Sequence, residues 1–347
     1  MRKLSFVGKI IFFANVVFAL ITVIAFVVPY VPVTSLPTLS TISLIVPFLV
    51  YVNVAFVFFW SLKKRIHVVL SMVLLILWYF VLGPFYLFSS GDGMDSSDTF
   101  TIMSFNARKF NMNREIPIDN VDSLIIAFVE RERPDIVCFQ ECHYAMKRSK
   151  ALQSYDYKFV DFVYGEHEGK KVIQAIYSKY PLLDVNSINF PESSNSAIYA
   201  DIVLKKDTVR LYNIHLQSFR IIPEIGIIRK GQSAKLFAKS RRVMLKQYEQ
   251  SKLIRKSMDE TDHKKIVIGD FNNTQYSNVY QTIKGDLNDS FLEKGKGFGR
   301  TYNLLGFPLR IDYILSDPSF DIISHQNFKD KLSDHYPVMA TFALSSD

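Results

Sequence analysis

The chain has 347 residues, 49% of them apolar, which excludes a disordered protein and leaves length for more than one domain. Its formal net charge of +8 is lopsided. Residues 1–90 hold six Lys and Arg and no Asp or Glu, whereas 91–347 hold 35 basic against 33 acidic side chains. The basic character therefore makes no general case for nucleic-acid binding, and two cysteines exclude a disulfide scaffold or a Cys-rich zinc module.

Three stretches, 10–30, 41–60 and 68–88, are about 20 residues long and uncharged, the length a helix needs to cross roughly 30 Å of hydrocarbon. The first is too long for a signal peptide core, lacks an A-x-A-like site and is followed by two more. Pro47 and Pro84 are expected to kink their helices. Asn15 and Asn53, with no charge beside them, are expected to hydrogen-bond between helices. Arg2, Lys3 and Lys9 precede the first stretch, and Lys63, Lys64 and Arg65 fill the second link, while the link 31–40 has no charge. Basic residues stay in the cytoplasm, so the N-terminus lies inside and three crossings place 91–347 outside. The expectation is a protein of the cytoplasmic (inner) membrane. It has a three-span anchor (1–90), a Ser/Gly/Asp tether (91–98) and one extracytoplasmic domain (99–347).

Within that domain, apolar alternation predicts strands at 99–105, 135–140, 157–163, 171–177, 197–205, 208–215, 265–269, 310–315 and 336–343. Helical patterns lie at 118–132 and 235–256. Many strands with few helices suggest packed sheets flanked by helices.

Polar residues recur at the strand ends: Asn106, then Gln140 and Glu141, His215, Asp270 and Asn272, Asp312, and Asp334 with His335. One such residue alone is a cap or a turn. Two His, several carboxylates and two Asn converging on one cleft form a hydrolytic site.

The order Ser104-Phe-Asn, Gln140-Glu, Asn213-Ile-His-Leu, Gly269-Asp-Phe-Asn, Arg310-Ile-Asp-Tyr-Ile and Ser333-Asp-His-Tyr-Pro resembles the endonuclease/exonuclease/phosphatase superfamily, the deoxyribonuclease-I-like hydrolases. The resemblance covers about 99–345 and suggests a membrane-anchored bacterial member. It implies an α/β four-layer sandwich of two facing mixed β-sheets flanked by helices, here preceded by three transmembrane helices. It also implies metal-dependent hydrolysis of phosphoesters, with Mg²⁺ or Mn²⁺ as cofactor.

By the same resemblance Glu141 is the main metal ligand, with Asn106 and Asp334 nearby. Asp270 orients or deprotonates the attacking water, and Asn272 holds a phosphate oxygen. Asp312 fixes the tautomer of His335, and His215 contacts the phosphate and protonates the leaving oxygen. Two departures stand out. Abasic-site endonucleases of the superfamily carry Tyr where His215 stands, and an Asp where Arg108 stands. Both favour the phosphodiesterase and phosphatase branches over DNA repair. Glu166 and Glu168 are the candidates for an acidic partner of His215.

Other signals are structural. The segment 295–299 lacks phosphate-loop spacing and reads as a flexible loop; 167–170 lacks the second His of a zincin. Cys138 and Cys142 are too far apart along a strand to pair. Lys235, Lys239, Arg242 and Lys246 form a stripe on one helix, whose other side (Leu236, Phe237, Val243, Met244, Tyr248, Ile254) is expected to pack on a sheet. With the apolar run 221–228, the stripe reads either as a solvated face or as a surface for anionic lipid. The reading is a membrane-anchored phosphoester hydrolase acting on a phospholipid-type or other phosphodiester. The alternatives are an extracytoplasmic nuclease and a catalytically idle tethered interaction module.

Overall fold

A computed structural model describes residues 4–88, 98–167, 169, 171–204, 207–219, 233–304 and 306–344. Helix α1 (Phe6–Val27) begins at Ser5, whose hydroxyl accepts from the Gly8 N–H. The single turn α2 (Pro37–Ser40) and a 3₁₀ stretch, Thr41–Ile45, lead into α3 (Val46–Leu62), and α4 (Val68–Leu82) follows. These three long helices pack on one another. As expected, the buried amides join them. Asn15 donates to Ser71 Oγ (2.7 Å) and accepts from Trp60 Nε1 (3.1 Å), and Asn53 donates to Thr22 Oγ1 (3.0 Å). Phe6, Phe13, Leu20, Phe58 and Phe80 stand exposed on the bundle's outer surface.

Two expectations need correction. Among the described residues two apolar stretches, not three, have spanning length: Phe6–Tyr30 with 25 residues and Pro37–Leu62 with 26. The third predicted span ends as a helix of 15 residues. Gly83 there takes a positive φ of 82° and Pro84 cannot continue the ladder. Nor do the prolines kink anything: Pro47 sits in the first turn of α3, where its missing N–H is harmless, and Pro84 lies past the end of α4.

The C-terminal part holds two six-stranded mixed sheets. The first has the order β13-β14-β1-β2-β4-β3, built from β1 (Thr99–Asn106), β2 (Ile136–Cys142), β3 (Tyr157–Val160), β4 (Ile173–Ser178), β13 (Phe320–Asn327) and β14 (Val338–Leu344). The second has the order β5-β6-β7-β8-β12-β9, built from β5 (Leu182–Asn189), β6 (Ser196–Leu204), β7 (Asp207–His215), β8 (Lys264–Asp270), β9 (Asn288–Asp289) and β12 (Asp312–Ser316). A hairpin, β10 (Tyr302–Leu304) and β11 (Phe307–Leu309), stands apart. Pairs β1–β2 and β7–β8 are parallel and the rest antiparallel.

Side chains alternate across each strand. Phe100 and Ile102 of β1, with Ile136 and Cys138 of β2, meet Leu211, Ile266, Ile268 and Ile314 in the core between the sheets. The opposite faces are covered by helices. Met103, Phe105 and Val137 pack under α5 (Val121–Glu132). Tyr212, Val267 and Tyr313 pack under α6 (Ser233–Asp259) and α7 (Asn278–Lys284). Four layers result, as the family resemblance implied. The short helix α8 (Ser290–Lys294) completes the elements.

Among the described residues the helical bundle meets this domain at one end. Thr274 Oγ1 donates to Ser43 O (2.8 Å) and Asn278 Nδ2 to Pro29 O (2.9 Å). Trp78 packs edge-on against Tyr276, Val33 is buried in the cluster that also holds Val243 and Val279, and Leu87 exchanges backbone hydrogen bonds with Gly297. The loop around Gly297 is thus seated on the end of the bundle, where Phe298 packs on Phe85 and Tyr86. At the far end, next to Lys63, Lys64 and Arg65, the rings of Phe12, Trp60 and His67 cluster. Residues 91–97 of the predicted tether lie outside the described residues.

Candidate active site

Alternation also carries the polar residues. On β1, β2, β7, β8 and β12 the residues continuing the inter-sheet face are Asn106, Gln140, His215, Asp270 and Asp312. All fall at one end of the sandwich. Register brings them together: Asn106 is level with Gln140, while Asp270 has His215 on one side and Asp312 on the other. Gly269 permits this closeness. Its φ of 135° disfavours an L side chain, and a Cβ there would strike the backbone of Ile214.

Asp270 is the hub. Its carboxylate accepts from Asn272 N (2.7 Å), Asn272 Nδ2 (3.0 Å) and Asn106 Nδ2 (3.0 Å), and lies 3.5 Å from His215 Nε2 and 3.7 Å from His335 Nε2. His335 Nδ1 sits 2.9 Å from Asp312 Oδ2, so the carboxylate holds the proton on Nδ1 and turns Nε2 toward Asp270. Glu141 approaches from the other sheet, its Oε1 3.4 Å from Asn106 Nδ2 and 3.8 Å from His215 Nε2. Asp334 stands at the rim, paired with Arg108 at 2.6 Å; Arg108 also pairs with Glu115. The structure thus gathers all eight predicted residues around one cleft, with Asp334 outermost.

Burial sets the electrostatics. It raises Asp270 to about 8, against the pull of His335, because a carboxylate out of water resists ionising. For His335 burial opposes the charge, but Asp312 and Asp270 outweigh it and raise the ring to about 10. His215 goes the other way: burial lowers it, and Glu141 only partly compensates. Both ring nitrogens of His215 are buried without a hydrogen-bond partner among the described residues. Its acidic neighbours are Glu141 and Asp270. Glu166 lies beside His167 instead, and Glu168 is outside the described residues.

Asp270, Asp312 and His335 each offer a ligand atom within 4.8 Å of the others. His335 is charged and tied to Asp312, so the oxygens left for a cation are those of Glu141, Asn106 and Asp334, beside the carboxylates of Asp270 and Asp312. That donor set fits a divalent cation such as Mg²⁺.

A family model described as "Endonuclease/Exonuclease/phosphatase family" matches residues 103–335, more than half of the chain and the whole set of strand ends. The chain belongs to that family. A second model, described only as a domain of unknown function, matches 8–85. No curated protein matches the chain. Among solved structures the chain is similar to D. rerio TDP2 complexed with a single-strand DNA product (17% identity, TM-score 0.54, covering 71% of this chain and 99% of that one). It is similar also to a family protein from Bacteroides thetaiotaomicron (20%, 0.52, 71% and 98%) and to the human Nocturnin catalytic domain with bound sulfate (16%, 0.53, 73% and 97%). At these identities the likeness establishes the fold.

Two supporting residues escaped sequence reasoning. Asn213, fully buried between the sheets, accepts from Gln140 Nε2 (2.7 Å) and donates to the carbonyls of Phe139 and Ala175. It is a polar bolt behind the site, and its place two residues before His215 on the same face was the available signal. The Thr301 hydroxyl accepts from the N–H groups of Ile311 and Asp312, and the Thr301 carbonyl accepts from Tyr336 N. A lone Thr in a loop carries no such signal.

Proposed function

We propose that the protein is a metal-dependent phosphoester hydrolase of the cytoplasmic membrane, with its N-terminus inside and its catalytic domain outside the cytoplasm. The observation that carries this reading is Asp270, flanked by the Asp312–His335 pair and His215 and hydrogen-bonded to Asn106 and Asn272, in one cleft. A catalytically idle module has no use for so many buried titratable groups facing one cleft, His215 among them without a hydrogen-bond partner among the described residues.

In this reading Glu141, Asn106 and Asp334 hold the cation, which when bound neutralises charge on the phosphate. Asp270 orients the attacking water, Asn272 exchanges its hydrogen bond to Leu216 O for one to a phosphate oxygen, and His335, locked by Asp312, lends positive charge to the same pocket. His215, kept neutral by burial, is the donor for the leaving oxygen.

The membrane assignment is supported by the exposed apolar side chains on the bundle, which exceed what a soluble surface carries. The end that holds Lys63, Lys64 and Arg65 lies away from the catalytic domain, in keeping with basic residues inside. Helix α4, about 22 Å long, crosses as the third span if the bilayer thins locally. Cys introduced at Ser96, but not at Ser61, should react with an impermeant thiol reagent on intact cells lacking both native cysteines; labelling at Ser61 alone inverts the topology.

The substrate class is tested by assaying the purified chain on DNA, RNA, phospholipids, phosphoinositides and small phosphodiesters, with Mg²⁺ or with EDTA. Mg²⁺-dependent turnover of a non-nucleic phosphodiester is expected, and inertness toward all of them would refute the reading. The nuclease alternative draws on the fold shared with TDP2, which was captured with a single-strand DNA product.

A further inference from the structure

A cavity of about 560 Å³ lies over the catalytic residues, within the size range of ligand sites. Its floor is polar: Glu141, Asp270, Asn272, Asp334 and His335. Its walls are not. Ile42 and Ile45 come from the link ahead of α3, Leu236 and Phe237 from the start of α6, and Leu304 and Leu309 from the β10–β11 hairpin. Leu236 and Phe237 thus line this groove rather than packing on the sheet, and Phe237 is 46% exposed. No Lys or Arg lines the cavity among the described residues. A nucleic-acid strand requires basic side chains along its phosphates. An acyl chain requires an apolar wall.

The position of that wall matters as much as its chemistry. Residues 41–45 immediately precede α3 and are held to the catalytic domain by Ser43, through Thr274 Oγ1 at 2.8 Å. The membrane anchor therefore supplies one side of the catalytic cleft, at the level where the bundle ends.

Beyond Glu141 lies a second cavity of about 550 Å³, which Glu141 also lines. Here the side chains are Lys109, His143, Tyr144, His167 and Lys171. His143 Nδ1 accepts from Ala145 N, and its Nε2 is buried without a partner among the described residues. His167 Nδ1 accepts from Val163 N. Both Nδ1 atoms accept, which leaves Nε2 of each ring as the donor, and Lys109 adds an ammonium group, while Lys171 is paired with Asp161 at 2.5 Å.

We propose that the substrate is a membrane phospholipid, drawn from the bilayer with its acyl chains between the anchor link, α6 and the hairpin, and its polar headgroup in the basic, aromatic lobe. This rests on the hydrolase reading above. Water's oxygen bonds to phosphorus, the bond from phosphorus to one ester oxygen breaks, and that oxygen takes a proton to leave as an alcohol.

The test uses the full-length protein in detergent with Mg²⁺ and p-nitrophenyl alkyl phosphates bearing methyl, butyl or octyl groups. Each methylene buried in the groove should raise kcat/KM about fourfold. In Ile45→Glu and in Phe237→Glu the octyl-to-methyl ratio should fall at least about tenfold; Phe237→Ala, at an exposed position, guards against misfolding of the charged variants. A flat series in the wild type, or an unchanged ratio in all three variants, overturns the proposal. Failure to hydrolyse even the methyl compound refutes the hydrolase reading instead. The lipid proposal is then decided in EDTA, by photolabelling with a phosphatidylglycerol that carries a diazirine in its acyl chain. Label on the peptide containing Leu236 and Phe237 supports it, and label confined to the membrane helices contradicts it.

Discussion

The floor and the walls of the cleft are built on different principles. The floor comes from strand ends, where register dictates which side chains meet: Asp270 faces Asp312 across one ladder and His215 across the other. The walls come from three segments far apart in sequence, and one of them, 41–45, lies outside the stretch matched by the family. Chemistry thus sits on the strand ends, while the surface proposed to meet the rest of the substrate sits on the 41–45 link, the start of α6 and the β10–β11 hairpin. Floor and walls should therefore fail in different ways.

The largest effect is expected on the floor. Asp270→Asn and His335→Ala should each lower kcat by about 10²–10⁴-fold, the usual size of acid–base contributions, with little change in melting temperature. Near wild-type turnover in either variant at saturating Mg²⁺ would remove that residue from the mechanism.

Behind the floor, Asn213→Ala should act on the fold. It strands the carbonyls of Phe139 and Ala175 between the sheets and removes one partner of the Gln140 amide, which keeps Ser104 Oγ. The cost should be about 1–3 kcal/mol, read as a lower thermal midpoint. A variant as stable as the parent would show that the bolt is dispensable.

A pH control far from the cleft separates acid unfolding from loss of activity. Burial depresses the His325 ring from 6.5 to about 4, and its Nδ1 lies 2.8 Å from Ser290 Oγ. The unfolded chain takes up this proton first, so the stabilisation is complete above pH 6.5 and is lost as pH falls from there through 4. The loss amounts to about 1–3 kcal/mol in denaturant titrations. His325→Gln should flatten that slope, and an unaltered slope would exclude this histidine as its source.

The smallest effect belongs to the wall. Phe237→Ala should raise KM for an octyl phosphodiester by about fivefold, roughly 1 kcal/mol of lost apolar contact, and change kcat little. An equal loss in kcat would place Phe237 with the floor.

Much of this was legible in the sequence because period-2 alternation ran unbroken into the polar strand ends, as in β8, where Ile266 and Ile268 lead to Asp270. The edge strands β5 and β13 were missed. Each lies at the rim of its sheet, half-exposed and interrupted by Asp, Asn and Ser, so alternation fades there. The bundle side of the cleft was hidden for another reason. Ile42 and Ile45 match a membrane span as well as they match a groove, and composition does not separate the two. The helix 233–259 was foreseen from its periodicity, with Val243, Met244 and Ile254 buried as expected, whereas Leu236 and Phe237 turned to the cleft. The apolar run 221–228 lies outside the described residues.

The most direct test of the division between floor and walls is to run the alkyl phosphate series on Asp270→Asn. If floor and walls are separate, the substitution lowers kcat/KM for the methyl, butyl and octyl compounds by the same factor, leaving the octyl-to-methyl ratio at its wild-type value. A loss that depends on chain length would mean that Asp270 also governs how the apolar part is held, and would contradict the account.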